Sequence, residues 1–376
     1  MVPIKDSDVS RLRSGFEGLV ASRTRPPFAY TADDDGVVES IDEEAKVMKI
    51  RYKNGKTHCL TYGEEYTNNS ANGFYVNQKI AVNGYKAGDK VSKGDVLTYN
   101  KEFFQADPYS KQVNWKIGIL ARVAICDLAG SLEDASILTK GICERMSFEP
   151  VHVKEITITT DTHVHAFADV GTEVASTDAL MVFDESAMNF GDDADDEMVQ
   201  ILSNLNKLAP KAEYSGTIAK IDVLYKSPLS SMDSSVSKII KHVTKIKNQR
   251  AQFAEGCDNI KDYPPSTPLY ATDKVGIVDL EPETVIFRFY IKQHKGMNPG
   301  DKLFFDNCLK SVCSSVYDEI TTESGENVDG VTSGRGVLAR IISSPFIQGL
   351  ANAALRKLEE DVISIYDTGS FQPDGI

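Results

Sequence analysis

Short strand-like segments joined by glycine turns constrain the fold of this chain more than any other feature. Residues 88–97 combine two Gly-Asp pairs with alternating apolar residues, and residues 170–182 repeat the arrangement in a looser form. One turn of this kind shows only that two strands meet at a glycine. Two of them in one chain favour a barrel-like β architecture.

Several other segments have the β-branched, aromatic or alternating composition that is typical of strands. They are residues 36–42, 45–52, 117–126, 156–164, 214–225 and 285–291. Segments 117–126 and 285–291 are largely apolar, so we expect both to be buried strands. The sequence therefore predicts a mostly β, α+β protein.

Two helices interrupt this pattern. Apolar residues recur with helical spacing over about 233–254. Basic residues surround them and predict a peripheral, mobile helix whose basic face is available to a partner. These are Lys238, Lys241, Lys245 and Arg250. The second helix begins at Ser343 or Ser344, where Pro345 suits the first turn, and continues to about 362.

Composition and charge exclude several classes of protein. The 376 residues carry a formal net charge of −14, which disfavours a chain that grips nucleic acid alone, because phosphates bind to positive potential. No window approaches roughly 18 consecutive apolar residues, and the N-terminus lacks an apolar core, so we expect neither a membrane span nor a signal peptide. The six cysteines lack CxxC spacing, which argues against a zinc site or a disulfide framework and fits a reducing cytosol.

The stretch 299–310 holds the main candidate for ligand binding. It follows a predicted strand, and Lys302 and Lys310 stand eight residues apart in a segment that is otherwise poor in basic residues. On adjoining strands or a tight loop, both ammonium groups could converge on one phosphate-bearing ligand as flexible point charges. Two solvated surface lysines are the alternative.

An acidic pair, Glu133 and Asp134, lies between a predicted core strand and a second apolar run that ends at Leu138. Carboxylates in such a setting need a cation or hydrogen-bond donors nearby, because burying a bare charge is costly. From these residues alone, a functional role and a solvated loop are equally open.

Two other groups of polar residues are interpreted as structural. His163 and His165 alternate on one strand, but no third residue has metal-site spacing. The acidic run 190–197 lacks the alternating ligands and the closing glutamate of a calcium loop, so we expect a solvated linker there.

In order and spacing, these segments resemble the C-terminal half of the β subunit of multisubunit DNA-dependent RNA polymerases. The resemblance covers roughly residues 20–362 and rests on eight motifs in the correct order, none of them specific alone. They are Gly36–Asp42 (GVV-x-VD in the family), Tyr66–Ser70 with Asn77 and Gln78 (a tyrosine-rich segment with INQ), Val91–Leu97 (V-xx-GDVL), Leu132–Leu138 (FED-S-I-L), Gly171–Leu180 (G-x-EV-xx-GD-IL), Ser215–Val223 (the flap), Gly300–Lys310 (GDK and the HGNKG lysine) and Val328–Arg340 (VD…GVPSRM).

The chain departs from the family in several places. Residues 305–309 replace the arginine, histidine and glycines that the family has between its two lysines. The family's N-terminal half and C-terminal anchor have no counterpart here, and neither does the NADFDGD aspartate triad, which the family carries on β′. The chain therefore resembles a divergent, split β fragment of the kind that some large bacteriophages encode.

The resemblance implies a double-psi β-barrel formed by two separated pieces, about 101–182 and 271–342, with an inserted flap-like module and a C-terminal helix. The implied domains are an N-terminal arm (1–35), a small β module (36–100), the first part of the barrel with an acidic linker (101–212), the flap-like module (213–265), the second part of the barrel (266–342) and the C-terminal helix with a tail (343–376).

The implied function is that of a DNA-directed RNA polymerase subunit fragment that lines the nucleotidyl-transfer site and is inactive as an isolated chain. Lys302 and Lys310 would contact the RNA 3′ end and the phosphates of the incoming nucleotide. Asp134, with Glu133, would help to hold a second Mg²⁺, directly or through water. The catalytic Mg²⁺ would be held mainly by the aspartates of a β′-like partner.

Other implied partners are an N-terminal β-like subunit, the DNA template, RNA, nucleoside triphosphates and a sigma-like factor at the flap-like module. The expected location is the cytoplasm of an infected bacterial cell, or a virion. A second class of function stays open, namely a non-catalytic scaffold, decoy or virion protein built on a degenerate polymerase barrel. The two lysines and the acidic pair favour the polymerase, whereas the lost glycines and the gained Phe304 and Phe305 favour the scaffold.

Overall fold

The computed structural model describes residues 4–5, 7–69, 73–108, 110–184, 209–270, 273–275, 278–305, 309–339 and 343–368. Its strands are β1 (Ala29–Thr31), β2 (Gly36–Asp42), β3 (Val47–Tyr52), β4 (Thr57–Thr61), β5 (Gly63–Asn69), β6 (Phe74–Val82), β7 (Lys90–Val91), β8 (Val96–Asn100), β9 (Phe104–Ala106), β10 (Val113–Trp115), β11 (Val123–Ile125), β12 (Ala135–Thr139), β13 (Pro150–Thr159), β14 (His163–Phe167), β15 (Glu173–Val174), β16 (Met181–Asp184), β17 (Gly216–Tyr225), β18 (Lys274–Val275), β19 (Val278–Asp279), β20 (Thr284–Lys292), β21 (Lys302–Phe305), β22 (Leu309–Tyr317), β23 (Ile320–Thr321), β24 (Asn327–Val328) and β25 (Gly330–Thr332).

The α-helices in these ranges are α1 (Val20–Arg23), α2 (Lys140–Arg145), α3 (Ser234–Val243), α4 (Lys245–Phe253), α5 (Gly334–Ala339) and α6 (Ser344–Asp367). Short 3₁₀ turns occupy Phe16–Gly18, Leu229–Ser231 and Ile260–Asp262. Strand residues outnumber helical ones, and the protein is mostly β of the α+β class, as the sequence predicts.

The chain divides into two compact units. The first comprises 1–30, 99–148 and 295–376, and the second comprises 31–98 and 149–294. Each unit is therefore assembled from pieces that are separated in sequence.

The second unit is organised around three long antiparallel strands, in which β20 pairs with β13 on one side and with β17 on the other. Alternate side chains of β20 form its core, and Phe287, Phe289 and Ile291 are fully buried. This period of two is what a strand with one face on the core requires. The prediction of a buried strand at 285–291 is confirmed.

The first unit contains a five-stranded sheet in the order β11-β25-β12-β22-β21. Two of its contacts are parallel, β11 with β25 and β12 with β22, and the other two are antiparallel. The strands from 123–139, β11 and β12, lie on either side of β25, and β22 and β21 follow β12, so the sheet interleaves the segments 123–139 and 302–332. A core of Leu138, Ile142, Cys143, Leu303 and Cys313 covers one face.

The described residues show no closed barrel built from the two pieces that the resemblance implies. Segment 117–125 belongs to the first unit and strand 285–291 to the second, and no sheet in the described ranges closes into a barrel. The predicted buried strand 117–126 is also wrong, since only Val123–Ile125 is a strand and Ile125 is 46% exposed. The reason is that β11 is the edge strand of its sheet and pairs with β25 alone.

The region predicted as one peripheral helix at 233–254 is two helices that meet at Thr244. Val236 and Ile240 of α3 are fully buried in the same core as Phe287. Lys245 forms an ion pair with Glu44 (Nζ–Oε1 2.8 Å) and Arg250 forms one with Glu65 (Nη1–Oε1 2.9 Å), so two of the four basic residues of this region are paired within the chain. The predicted peripheral position of this helix is wrong, because its apolar stripe is long enough to pack on a sheet.

The expectation that the cysteines form no disulfide is corrected as well. Cys59 of β4 is bonded to Cys257, which lies 198 residues further along the chain. The side chain of Asn259 accepts from the amide of Cys59 and donates to its carbonyl, so the two segments are also joined by hydrogen bonds. Sequence spacing gives no sign of a pairing that depends on tertiary contact alone.

The C-terminal helix α6 begins after Ser343 with Pro345 in its first turn, as predicted, and extends to Asp367. None of its described side chains is buried, and Leu350 and Leu358 are 74% and 59% exposed. Within the residues that the structure describes, no helix has the length and apolar character needed to cross a membrane.

Candidate functional site

The two candidate lysines lie on one hairpin. Strands β21 and β22 pair so that Lys302 is opposite Val312 and Phe304 is opposite Lys310. Side chains that are opposite each other, or two positions apart on one strand, share a face of the sheet. Lys302 and Lys310 are thus diagonal neighbours on the exposed face, about 7–8 Å apart in the backbone.

Core packing on the inner face of the hairpin and hydrogen bonds of the turn before β21 fix the position of the hairpin. Leu303 is buried beside Cys313 in the core of the first unit. Gly300 has φ 95°, which favours glycine, and its amide donates to the carbonyl of Cys313 at 2.7 Å. The amide of Cys313 donates in turn to the carbonyl of Asp301 at 2.9 Å. The turn and the core together fix which residues of β21 face outward.

The acidic pair immediately precedes β12, which is the neighbour of β22 in the same sheet. The carbonyl of Asp134 accepts hydrogen bonds from the amide of Val312 and from the hydroxyl of Ser311, both at 2.8 Å. Ala135 is opposite Val312, which is opposite Lys302, so two strand spacings of about 4.8 Å put these backbones roughly 10 Å apart. The structure therefore puts the acidic pair at the start of β12 and the two lysines on the next two strands, β22 and β21.

The backbone around the acidic pair is tightly confined. Glu133 has a positive φ of 55°, which is uncommon for a residue with a side chain. Helix α5 packs against it so closely that a Cβ on Gly336 would lie 2.8 Å from the carbonyl oxygen of Glu133 and 3.7 Å from Oδ1 of Asp134. The carboxylate of Asp134 therefore lies beside the start of α5, and both acidic side chains are exposed.

Buried hydroxyls tie the strands together beneath the site. The hydroxyl oxygens of Ser136 and Ser311 are 2.6 Å apart, and those of Ser136 and Thr332 are 3.1 Å apart. All three residues are buried. Because a buried hydroxyl without a partner is costly, this network fixes the register of β25, β12 and β22.

A second charged group near the site was not predicted from the sequence. Asp127 accepts from the hydroxyl of Ser333 and from Nε of Arg335, both at 2.8 Å. The Ser333 hydrogen bond, followed by the Arg335 contact, holds the pKa of the Asp127 carboxyl below its usual range. The only sequence signal was that Arg335 falls within a segment that resembles the polymerase family. Asp127 stands in no recognisable pattern.

The exposed cations of the hairpin are available to a ligand. In the described part of the chain, neither Lys302 nor Lys310 forms an ion pair, and no group of three His, Cys, Asp or Glu side chains is arranged to hold a metal ion. Carboxylate oxygens are ligands that Mg²⁺ prefers, so the chemistry of Asp134 and Glu133 fits two such ligands.

Two of the free cysteines are buried, and the two alternating histidines each have a carboxylate partner. Burial raises the pKa of the Cys143 thiol to about 11 and also raises that of Cys313, so both stay neutral. His163 Nδ1 is 3.1 Å from Asp233 Oδ1, and His165 contacts Asp184. The acidic run 190–197 and the hairpin tip 306–308 lie outside the described residues. No protein-family model and no curated protein sequence matches the chain.

Proposed function

We propose that this chain is a fragment of the β-like subunit of a multisubunit DNA-directed RNA polymerase and that it lines the nucleotidyl-transfer site. The observation that carries the proposal is the position of Lys302 and Lys310 on one exposed hairpin face, in the two strands next to β12, which Asp134 immediately precedes. These are the residues that the family resemblance assigns to phosphate and metal contacts. They are far apart in sequence, and the fold supports their acting on one substrate.

In this proposal the lysines are point charges for the phosphates of the RNA 3′ end and of the incoming nucleotide. A flexible ammonium follows a phosphate as it moves, and it stabilises the charge that develops during phosphoryl transfer. Asp134 and Glu133 would contribute ligands to a second Mg²⁺, and such an ion supplies neutralisation of the triphosphate charge when it is bound. The carbonyl hydrogen bonds of Asp134 to β22 position the carboxylate relative to the hairpin.

The proposal still includes a double-psi barrel, but its two pieces have different residue boundaries from those that the resemblance implies. Its support is the mixed five-stranded sheet, in which residues from 123–139 and 302–332 interleave with two parallel contacts. The inserted part would then be 149–294, a larger segment than the flap-like module at 213–265. A β′-like subunit would complete the site, an N-terminal β-like subunit would adjoin it, and a sigma-like factor would contact the insertion.

The test is reconstitution of the chain with a partner that carries the DxDxD aspartates, followed by RNA extension on a primed template. Lys302→Ala and Lys310→Ala are each expected to lower the extension rate by about 10²–10³-fold, because each removes charge stabilisation from the transition state. Lys302→Arg is also expected to be slow, since a planar guanidinium does not replace a compact ammonium. Co-purification with the partner should be unchanged.

Lys140→Ala is the matched control, since Lys140 is a solvent-exposed lysine of the same unit whose ammonium pairs with Asp318. It should leave the extension rate unchanged. If the lysine variants extend RNA normally in an active complex, the proposed role of the hairpin is wrong. If the complex assembles but no variant, including the wild type, extends RNA, the scaffold function is favoured. The outward apolar residues of α6 are the observation that suits that second function.

A further inference from the structure

An exposed aromatic ring lies between the two lysines of the hairpin. Phe304 is 47% exposed and is directly opposite Lys310, while Lys302 stands two residues before it on the same strand. The three side chains therefore share the outer face of β21 and β22. About half of Phe304 is open to water, whereas its neighbour Phe305 packs partly against the core of the first unit.

The charges around Phe304 favour a nucleic acid over an apolar protein surface as its ligand. The chain has 41 basic and 55 acidic residues, yet the two cations that flank this ring form no ion pair among the described residues. Proteins that bind single-stranded nucleic acids combine cations for the phosphates with aromatic rings on which bases stack. An apolar protein contact would instead require two lysines to lose their hydration.

We propose that Phe304 is a base-stacking residue, and that Lys302 and Lys310 hold the phosphates on either side of the nucleotide that stacks on it. Cross-strand neighbours lie about 5 Å apart, and diagonal ones about 7–8 Å, so all three groups reach one nucleotide and the next phosphate. The inference rests on the proposed nucleotide site for its biological setting. The stacking itself is a property of this hairpin and is tested without the polymerase.

The experiment measures binding of the full chain to two fluorescent single strands of equal length, one an ordinary RNA and the other an abasic ribose-phosphate strand. The wild type is expected to bind the ordinary strand more tightly. Phe304→Ala should weaken binding of the ordinary strand by about 5- to 100-fold and leave the abasic strand unaffected, because only stacking is lost. Phe304→Tyr should retain the preference. A double Lys302→Gln, Lys310→Gln variant should bind both strands more weakly.

Tyr317→Ala is the matched control, because Tyr317 lies at the far end of the same strand β22 and is similarly exposed at 51%. It should leave both affinities unchanged. The inference is overturned if the wild type does not distinguish the two strands, or if Phe304→Ala weakens both equally. It is also overturned if Phe304→Ala affects only co-purification with a protein partner.

Failure of the proposed polymerase function has a different signature. A chain that distinguishes the strands through Phe304, but forms no complex that extends RNA, would retain the stacking site and lose the polymerase assignment. An active complex in which Phe304→Ala extends RNA at the wild-type rate and binds both strands normally would support the polymerase assignment and rule out the stacking site.

Discussion

The hydroxyl oxygens of Ser136 and Ser311 are 2.6 Å apart, although the two residues are separated by 175 positions in the chain. Ser136 lies on β12 and Ser311 on β22, next to the residues proposed to contact the substrate. Their contact joins two of the three chain pieces of the first unit at the level of the candidate site. The position of the hairpin relative to the acidic pair therefore depends on a buried polar contact as well as on apolar packing.

Ser136→Ala and Ser311→Ala are each expected to lower the free energy of unfolding by about 1–3 kcal/mol, because each removes hydrogen bonds from a buried hydroxyl network. The double variant should cost less than the sum of the two. Urea unfolding of the single and double variants measures both quantities. Ser92→Ala, at an exposed serine, is the control and should change little. Strictly additive losses would show that the two hydroxyls do not act together.

Ser333→Ala should raise the pKa of the Asp127 carboxyl towards its ordinary value, because the hydrogen bond from Ser333 is the largest cause of its depression. A carboxyl whose pKa is lowered in the folded state stabilises the fold above its unfolded pKa and loses that contribution as the pH falls through the folded value. Asp127→Asn should therefore be less stable than the wild type at neutral pH, and the difference should vanish in acid.

NMR titration of the Asp127 carboxyl in the wild type and in Ser333→Ala measures this pKa directly. Arg335→Gln is the companion variant and should raise the pKa as well, because it removes both the Arg335 hydrogen bond and its positive charge. An unchanged titration in both variants would contradict the proposed origin of the shift. If the stability difference between wild type and Asp127→Asn persists in acid, the lowered pKa of Asp127 is not the source of that difference.

The sequence predicted local structure better than it predicted which strands pair. The pattern of β20 and the start of α6 were readable because side-chain periodicity and capping act over neighbouring residues. The partner of each strand depends on contacts between distant segments, which no local pattern encodes. Strand β11 illustrates this, since its apolar sequence suggested burial and its edge position prevents it.

In the candidate site, too, local spacing was predictable and contacts between distant segments were not. The eight-residue spacing of Lys302 and Lys310 was sufficient to suggest a shared ligand, and the hairpin puts both on one face. Asp127 was missed because its partners, Ser333 and Arg335, lie more than 200 residues away. The burial of Val236 was missed for a related reason. A helix with an apolar stripe and a basic face packs on whichever surface the tertiary fold offers.

Leu350→Gln and Leu358→Gln in α6 are expected to change the free energy of unfolding by no more than about 0.5 kcal/mol each, because both side chains are mostly exposed. Replacing these exposed leucines with glutamine should also lower the tendency of the isolated chain to self-associate. Thermal unfolding and light scattering measure the two effects. Phe287→Ala is the contrasting control and should cost about 3–5 kcal/mol, since Phe287 is fully buried. A comparable loss in Leu350→Gln would mean that α6 is packed.

Gly336→Ala tests whether the position of the acidic pair matters to the site. In an ordinary helix, alanine is favoured over glycine by up to about 1 kcal/mol. Here a Cβ would lie 2.8 Å from the backbone carbonyl of Glu133, and backbone cannot yield as a flexible side chain does. We therefore expect a net loss of about 1–3 kcal/mol in unfolding free energy, as for other overpacked positions.

Gly334→Ala is the matched control in the same helix, since its Cβ would meet only Ile125 at an ordinary 3.5 Å. It should be neutral or slightly stabilising. In a reconstituted polymerase, Gly336→Ala should also slow RNA extension more than Gly334→Ala, because moving Glu133 and Asp134 moves the proposed metal ligands and leaves Lys302 and Lys310 in place. Equal extension rates in two variants of unequal stability would show that the acidic pair has no part in the reaction.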